Sequence, residues 1–557
     1  MMKIGLVYVK GALPGFEDFG NLPTDIVKSN GLIKDSNALK ASEELDAIII
    51  PGGSLLESNS VSTDLANEIT KMAYDEKPVI GICSGFQLLA NETDVGRRSP
   101  CPIIKKGLGL LDVNFSPLIS NDRINAVVSD NNNSFFTKNI TPSDFITGFH
   151  CHTYGKIEII DENYDNGSKD ENTIKNNFGA KPLHYSKIKR MNYGDTDSSI
   201  LSGVSNDNGN VIGTMIHGIL DENPVIVDNI LDYIGANYIE LDNIFKVNEE
   251  LKKFIKSELA IDTGINTKNI NRCNEFRKII ISSINNKITN FKETNSKDIN
   301  FYNLDSFNKE IPPTLMIGST GSDSGKTFIV SGITGALTKK GLNVAVLKVG
   351  PDVRDIEPSL YLTKNKMEDY SSIKIGHIGW MDIEETLKRL KNSNYDFVII
   401  EGVMSVFTGI LNEKIPYSGA EIAVSSNIPI LMVSGVNKGG IESAAVDLVS
   451  HTNKLKELGI NVNGILLNKV YDENIFNNVS KFIATETGLS KEDILYLPKI
   501  KMDARSTTPE VEIKLEEFSK YALKTVESYL DLEKIVKMAD IPGFKGYLSF
   551  DDIKKFF

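Results

Sequence analysis

A chain of 557 residues is too long for one hydrophobic core, and at about 100–200 residues per domain it should divide into about two to four. Apolar residues make up 41% and charged residues 24%, the balance of an ordinary globular protein. A net charge of −13 argues against a nucleic-acid partner, whose phosphates want a basic surface, yet leaves room for a local basic site on an anionic ligand. The four cysteines, Cys83, Cys101, Cys151 and Cys273, form no CxxC pair, which speaks against a zinc site or disulfide framework and suits a reducing cytoplasm.

The N-terminal run KIGLVYV (3–9) is too short for a signal peptide. No stretch of the chain approaches the roughly 18 apolar residues that span a bilayer. The expectation is a soluble cytoplasmic protein with no membrane partner. The runs 3–9, DAIIIPGG (46–53) and PVIGICSG (78–85) read as buried parallel strands, each closed by Gly or Pro turn chemistry. LANEITKMAYDE (65–76) has helical spacing between them. VIGTMIHGIL (211–220) is a later strand-like run ending in His217. The polar stretch 161–177 reads as a loop insertion.

Residues 241–311 are rich in Lys, Asn, Glu and Ser and read as a partly helical linker between domains 1–240 and 312–557. A second strand-bearing stretch begins at TLMIGSTGSDSGKT (314–327) and continues at 343–352, 396–404, 428–436 and 461–470, with a helical run at 440–458. Helical spacing recurs at 527–539. Strands alternating with helices predict two α/β domains, each doubly wound on a mainly parallel sheet.

Two segments carry chemistry. Cys83 follows an apolar strand and precedes Ser84-Gly85 and a helical run. Such a strand-to-helix turn exposes a nucleophile and aims backbone N–H groups beside it, and the helix N-terminus favours thiolate. The Gly52-Gly53 pair after a strand could lend half an oxyanion hole, and His217 could serve as the base. In the second domain GSTGSDSGKT (318–327) joins a strand to a helix. Its small residues, Ser322 and Gly325 among them, let N–H groups cradle phosphates; Lys326 would contact the β and γ phosphates and Thr327 would ligate magnesium. The strict pattern asks for Gly five residues before Gly325, where Thr320 stands. Asp352 and Glu401 end neighbouring strands and should converge with Thr327 on the metal. His150, Cys151 and His152 are adjacent on one strand, so their side chains point to opposite faces, which argues against a metal there.

The run of PGG, GICSGFQLLA, GLGLLDV (107–113), GFHCHTYG (148–155) and GTMIHGIL resembles class I glutamine amidotransferase domains, most of all the variety in cobyric acid synthase. The resemblance implies a flavodoxin-like fold in which Cys83 attacks the glutamine amide, His217 is the base, and the N–H groups of Gly53 and Ser84 hold the oxyanion. The family has Gly where Ser84 stands, and Ile219 occupies the place of an acid two positions after the histidine. Lys348-x-Gly350-Pro351-Asp352-x-x-Asp355, Glu401-Gly-Val-Met and GILLNKV (464–470) resemble the P-loop ATP domain of cobyrinic acid a,c-diamide synthase. That implies ATP and Mg²⁺ as cofactors, Asn468 at the adenine, and glutamine plus a carboxylate, a corrin or related tetrapyrrole, as substrates. The family's Gly-x-x-Asp-Gly appears here as Ser405 to Gly409, with Thr408 in place of the acid, and its domain order is reversed. Two alternatives stay open. One is the same chemistry on a non-tetrapyrrole acid, and the other is a regulatory P-loop protein with an inactive amidotransferase half. A homodimer is a third open partner.

Overall fold

A computed structural model describes residues 2–13, 15–34, 38–97, 99–130, 134–160, 179–189, 197–263, 265, 270–294, 310–412, 415–437, 439–500 and 515–557. The polar stretch 161–177 and residues 295–309 of the linker lie outside these. The chain divides into two compact units, Met1–Lys256 and Ser257–Asp503 with Glu516–Phe557.

The first unit holds, in chain order, β1 (Ile4–Val7), β2 (Asp25–Val27), β3 (Ala47–Ile50), β4 (Val79–Ile82), β5 (Glu92–Asp94), β6 (Ile104–Lys106) and β7 (Val113–Ser116). It continues with β8 (Arg123–Val128), β9 (Phe145–Phe149), β10 (Lys156–Ile159), β11 (Lys181–Lys189), β12 (Asp197–Ser205) and β13 (Val211–Thr214). Nine strands form one sheet in the order β2-β1-β3-β4-β13-β12-β11-β8-β9. The half from β2 to β13 is parallel, and the rest is antiparallel. A second sheet runs β10-β7-β5-β6. The parallel strands are β-branched runs buried on both faces, Ala47–Ile50 being wholly inaccessible, as a sheet covered by helices requires. The antiparallel extension was not read from the sequence. Its strands alternate, as in Arg123–Val128 with Ile124 and Ala126 inward, and such short alternations carry a weak signal.

The helix Thr63–Tyr74 begins where the Ser62 hydroxyl accepts the Leu65 N–H, a side-chain cap for an otherwise unpaired donor. It turns Leu65, Ile69, Met72 and Ala73 onto the sheet, the spacing of one helical face. Phe86 fills the space beside β13: its ring meets Phe115 edge-on at 4.8 Å, and a Cβ on Gly213 would lie 2.0 Å from it.

The second unit is built on β14 (Thr314–Ser319), β15 (Val344–Val349), β16 (Ser372–Ile373), β17 (Phe397–Glu401), β18 (Ile430–Gly435), β19 (Val462–Val470) and β20 (Ile494–Pro498). All seven are parallel, in the order β16-β15-β17-β14-β18-β19-β20. Helices Lys326–Lys339, Gly440–Glu457 and Glu473–Thr487 link them. The last is capped by Asp472 and stopped by Gly488 at φ 69°. The C-terminal helices are Leu515–Tyr529 and Leu532–Met538; Ala522 and Val526 of the former pack onto Gly332, where a Cβ would sit 2.3 Å from Val526.

Within 241–311, the structure has two long helices, Tyr238–Thr263 and Ile270–Thr294. Arg277 of the second binds Asp396, which is 1% exposed, at 2.7 Å. Asp396 also accepts the Asn343 N–H, so the pair anchors this helix to its own unit by more than burial. Because Phe86 is enclosed by the sheet and by Phe115, Phe86→Ala should cost about 3–5 kcal/mol in urea unfolding. Val225→Ala, on the exposed face of Pro224–Tyr233, should stay within about 0.5 kcal/mol. Equal shifts for the two would show that the core was wrongly placed.

Candidate active sites

In the first unit four consecutive parallel strands deliver one residue or pair each from their carboxyl ends, where ligands of open α/β sheets bind. Cys83 follows β4 directly, with φ 50° and ψ −107°. That is a left-handed backbone which a non-glycine side chain adopts only under constraint. The constraint is visible. The Cys83 N–H donates to Thr214 O (2.8 Å), and Cys83 O accepts the Gln87 N–H (3.0 Å). Gly85 sits so close to β3 that a Cβ would be 2.1 Å from Ile50 O.

Gly52 and Gly53 follow β3. Gly53 has φ +131°, and a Cβ there would lie 2.0 Å from Gly11 O, so only glycine fits. The Ser84 hydroxyl accepts the Leu55 N–H at 2.9 Å. Thus the serine that replaces the family's glycine ties the nucleophile turn to the segment after Gly53.

His217 lies three residues beyond β13 and is 2% exposed. Its backbone exchanges hydrogen bonds with Phe149 (2.8 and 3.0 Å), whose ring stacks on the imidazole at 5.4 Å, while Phe16 meets it edge-on at 5.1 Å. A Cβ on Gly52 would be 2.5 Å from its Cε1. Nδ1 faces Glu17 Oε1 at 2.5 Å, and the ring lies within electrostatic reach of Cys83. Burial alone would lower the His217 pKa, but the Cys83 sulfur and the Glu17 carboxylate more than offset it and hold it near 10. The Cys83 sulfur also faces Cys151 O at 3.8 Å.

Glu17 escaped the sequence reading. It follows β1, 200 residues before the histidine, in a loop with no periodic pattern, and nothing in the sequence marked it. His150, by contrast, is a buried neutral histidine. Burial and the neighbouring histidines push its pKa well down, and Nδ1 meets the Ser120 hydroxyl at 3.0 Å. Among the described residues no group of three His, Cys, Asp or Glu side chains is placed to hold a metal.

In the second unit the loop after β14 leads into Lys326–Lys339. Gly325, at φ +81°, packs under Asn468, whose Nδ2 would be 2.2 Å from a Cβ there. Asn468 donates to Ser324 O at 2.9 Å, so it braces the loop, and Ser322 is exposed at the loop tip. Thr320 meets the Ser434 hydroxyl at 2.9 Å. Lys326 Nζ donates to the Ser319 hydroxyl (2.8 Å) and Met404 O (2.9 Å). Burial, with Lys348 nearby, lowers its pKa to about 8.

Thr327 donates to Glu401 Oε1 at 2.9 Å. Glu401 Oε2 is buried with no hydrogen-bond partner, an open ligand position of the kind a divalent cation fills. Asp352 heads the short helix Val353–Ile356, its carboxylate on Arg354 at 3.1 Å. Asp355, from the same turn, is the acid that reaches Lys348, at 2.6 Å. Lys348 Nζ also lies 3.1 Å from Glu401 Oε1. Burial disfavours the lysine's charge, but the two carboxylates outweigh it and raise its pKa; burial also pushes Glu401 up. A lysine inside the apolar run VAVLKV was the available signal, since a buried charge needs a partner.

Residues 12–225 match the family model for the CobB/CobQ-like glutamine amidotransferase domain. Residues 315–512 match that for the CobQ/CobB/MinD/ParA nucleotide binding domain. Cobyrinate a,c-diamide synthase of Dehalococcoides mccartyi (strain ATCC BAA-2266 / KCTC 15142 / 195) is 30% identical over 236 residues, 41% of this chain and 48% of that protein. The enzyme of the same name from Caldanaerobacter subterraneus subsp. tengcongensis is 32% identical over 241 residues, 41% of this chain and 49% of that protein. The chain therefore spans about half the length of the curated relatives it matches. Among solved structures, PurLQS from Thermotoga maritima aligns with a TM-score of 0.29 and 20% identity, over 42% of this chain and 99% of that one. The protein thus joins, in this order, a CobB/CobQ-like glutamine amidotransferase domain and a CobQ/CobB/MinD/ParA nucleotide binding domain.

Proposed function

We propose that this protein is an ATP- and glutamine-dependent amide-forming ligase acting on a carboxylate, with a corrin or related tetrapyrrole as substrate. The observation that carries the reading is the pairing of buried Cys83 and His217 at the carboxyl ends of β4 and β13, in a chain that also carries a phosphate-type loop at Lys326. The name of the curated relatives supports the choice of tetrapyrrole.

The Cys83 sulfur would add to the glutamine amide carbon, its proton resting on His217. The N–H groups of Gly53 and Ser84 would take the oxyanion. The proton on His217 then passes to the leaving nitrogen, which departs as ammonia. Water, its proton taken by the same imidazole, cleaves the thioester to glutamate. In the second unit the N–H groups around Ser322 and Gly325, with Lys326, would hold the ATP phosphates. The γ-phosphoryl group would move to the substrate carboxylate, and ammonia would displace phosphate from that anhydride. Thr327 and Glu401, with Asp352 or Asp355 from the neighbouring turn, would hold Mg²⁺. When bound, that ion neutralises charge on the transferring phosphoryl group. A cytoplasmic setting suits the free thiol at Cys83.

Supplied with glutamine, ATP and cobyrinic-type acids, the chain should release glutamate, ADP and an amide. Cys83→Ala should lower glutamine-dependent product by about 10³-fold or more while ammonium still supports synthesis. Lys326→Ala should lower product by about 10²–10³-fold with either nitrogen source. If the amide forms only from other carboxylates, the tetrapyrrole assignment fails. If glutamate release survives the loss of the Cys83 sulfur, the glutaminase assignment fails.

The pH dependence follows from His217. Its folded pKa lies above the ordinary 6.5, so the imidazolium persists through neutrality and is lost only as pH rises toward 10. A ¹³C-labelled histidine titration should therefore place His217 well above 6.5 in the folded chain and near 6.5 in urea. A folded His217 that titrates at or below 6.5 would contradict the pairing.

A further inference from the structure

We infer that Glu17 is the positioning residue of the Cys83–His217 pair, standing in for an acid that the strand after the histidine does not provide. Ile219 occupies that place, two positions beyond His217, and is wholly buried. The inference deepens the glutaminase reading and rests on it for its catalytic meaning.

The geometry is that of a two-point clamp. Glu17 Oε1 lies 2.5 Å from His217 Nδ1, and Oε2 accepts the Gly218 N–H at 2.7 Å. Both oxygens are thereby committed to consecutive residues of one turn, and ring and carboxylate are 3% and 2% exposed as side chains. With Nδ1 facing Glu17, the nitrogen left for the Cys83 sulfur is Nε2, so the carboxylate sets tautomer and ring direction together.

The clamp has its own support. Asp221, from the helix Ile219–Glu222, accepts the N–H groups of Asp18 (2.9 Å) and Gly20 (2.7 Å). Each segment thus grips the other: the acid of one takes the backbone of the next. Phe16, beside Glu17, covers the edge of the imidazole. The groups facing His217 from the packed elements are Cys83, Glu17, Phe16 and Phe149, and Glu17 is the acid among them.

A carboxylate that only capped the turn at Gly218 would support folding and leave the thiol's chemistry alone. Glu17→Gln keeps shape and capping while removing the charge. Alkylation of Cys83 by iodoacetamide, located by peptide mass spectrometry, should then slow at least tenfold at pH 7. Glutaminase kcat should fall at least tenfold with the KM for glutamine within about threefold, and Glu17→Asp should recover part of both. A folded Glu17→Gln protein whose alkylation profile superimposes on the unaltered chain would overturn the assignment. Should that variant not fold, Cys83→Ala with ¹³C-labelled histidine decides. Across that histidine titration the neutral ring should carry its proton on Nδ1, toward Glu17, and a proton on Nε2 instead would overturn the assignment. Alkylation and histidine titration need no turnover, so a chain without glutaminase activity would refute the proposed function while these two readouts still judge Glu17.

Discussion

The nucleophile turn depends on one strained backbone position. Cys83 is held at φ 50° between a strand and a helix, and the fold maintains it by removing every alternative. Its N–H and C=O are both taken. Gly85 and Gly213 have no room for a Cβ, facing Ile50 O and the Phe86 ring. The strain is therefore carried by a close-packed core that cannot relax around it. The same packing sets β3 beside β4, and Gly52 against the His217 ring.

The two units solve a common problem, the burial of charge, in related ways. Parallel strands end in unpaired N–H groups and helix N-termini, which favour anions. The polar side chains there are almost inaccessible: Cys83, His217 and Glu17 in one unit, Lys326, Lys348 and Glu401 in the other. An isolated buried charge costs several kcal/mol, so each is matched. Glu17 is matched by His217 and the Gly218 N–H, and Glu401 by Lys348 and Thr327. The exception is Glu401 Oε2, buried and without a hydrogen-bond partner.

Much of this was legible beforehand. Apolar β-branched runs such as AIII and VAVLKV, each ending in Gly or Pro, marked the parallel strands to within a few residues. Cys83, Gly53, His217, Lys326, Thr327 and Glu401 were each visible as a reactive or flexible residue at the end of such a run. The structure brings Cys83 and His217 together, and separately Thr327 and Glu401. Asp352 was harder, because Asp352 and Asp355 share one turn, and a spacing of three says nothing about which carboxylate faces the strand. The antiparallel strands β8, β9, β11 and β12 were not legible either. Their short alternating runs, as in Arg123–Val128, carry a weaker periodic signal than a continuous apolar run.

The sequence by itself determined the fold class, the strand ends that bear the reactive groups, and the chemical type of each, because these follow from local periodicity and from the few residues that turn or ionise in the needed way. The tertiary structure alone decided the partner of His217. Glu17 lies in an irregular loop, and its approach over 200 residues results from β1 and β13 sharing one sheet. A contact between distant loops leaves no periodic trace in the chain; it exists only once the strands have taken their order.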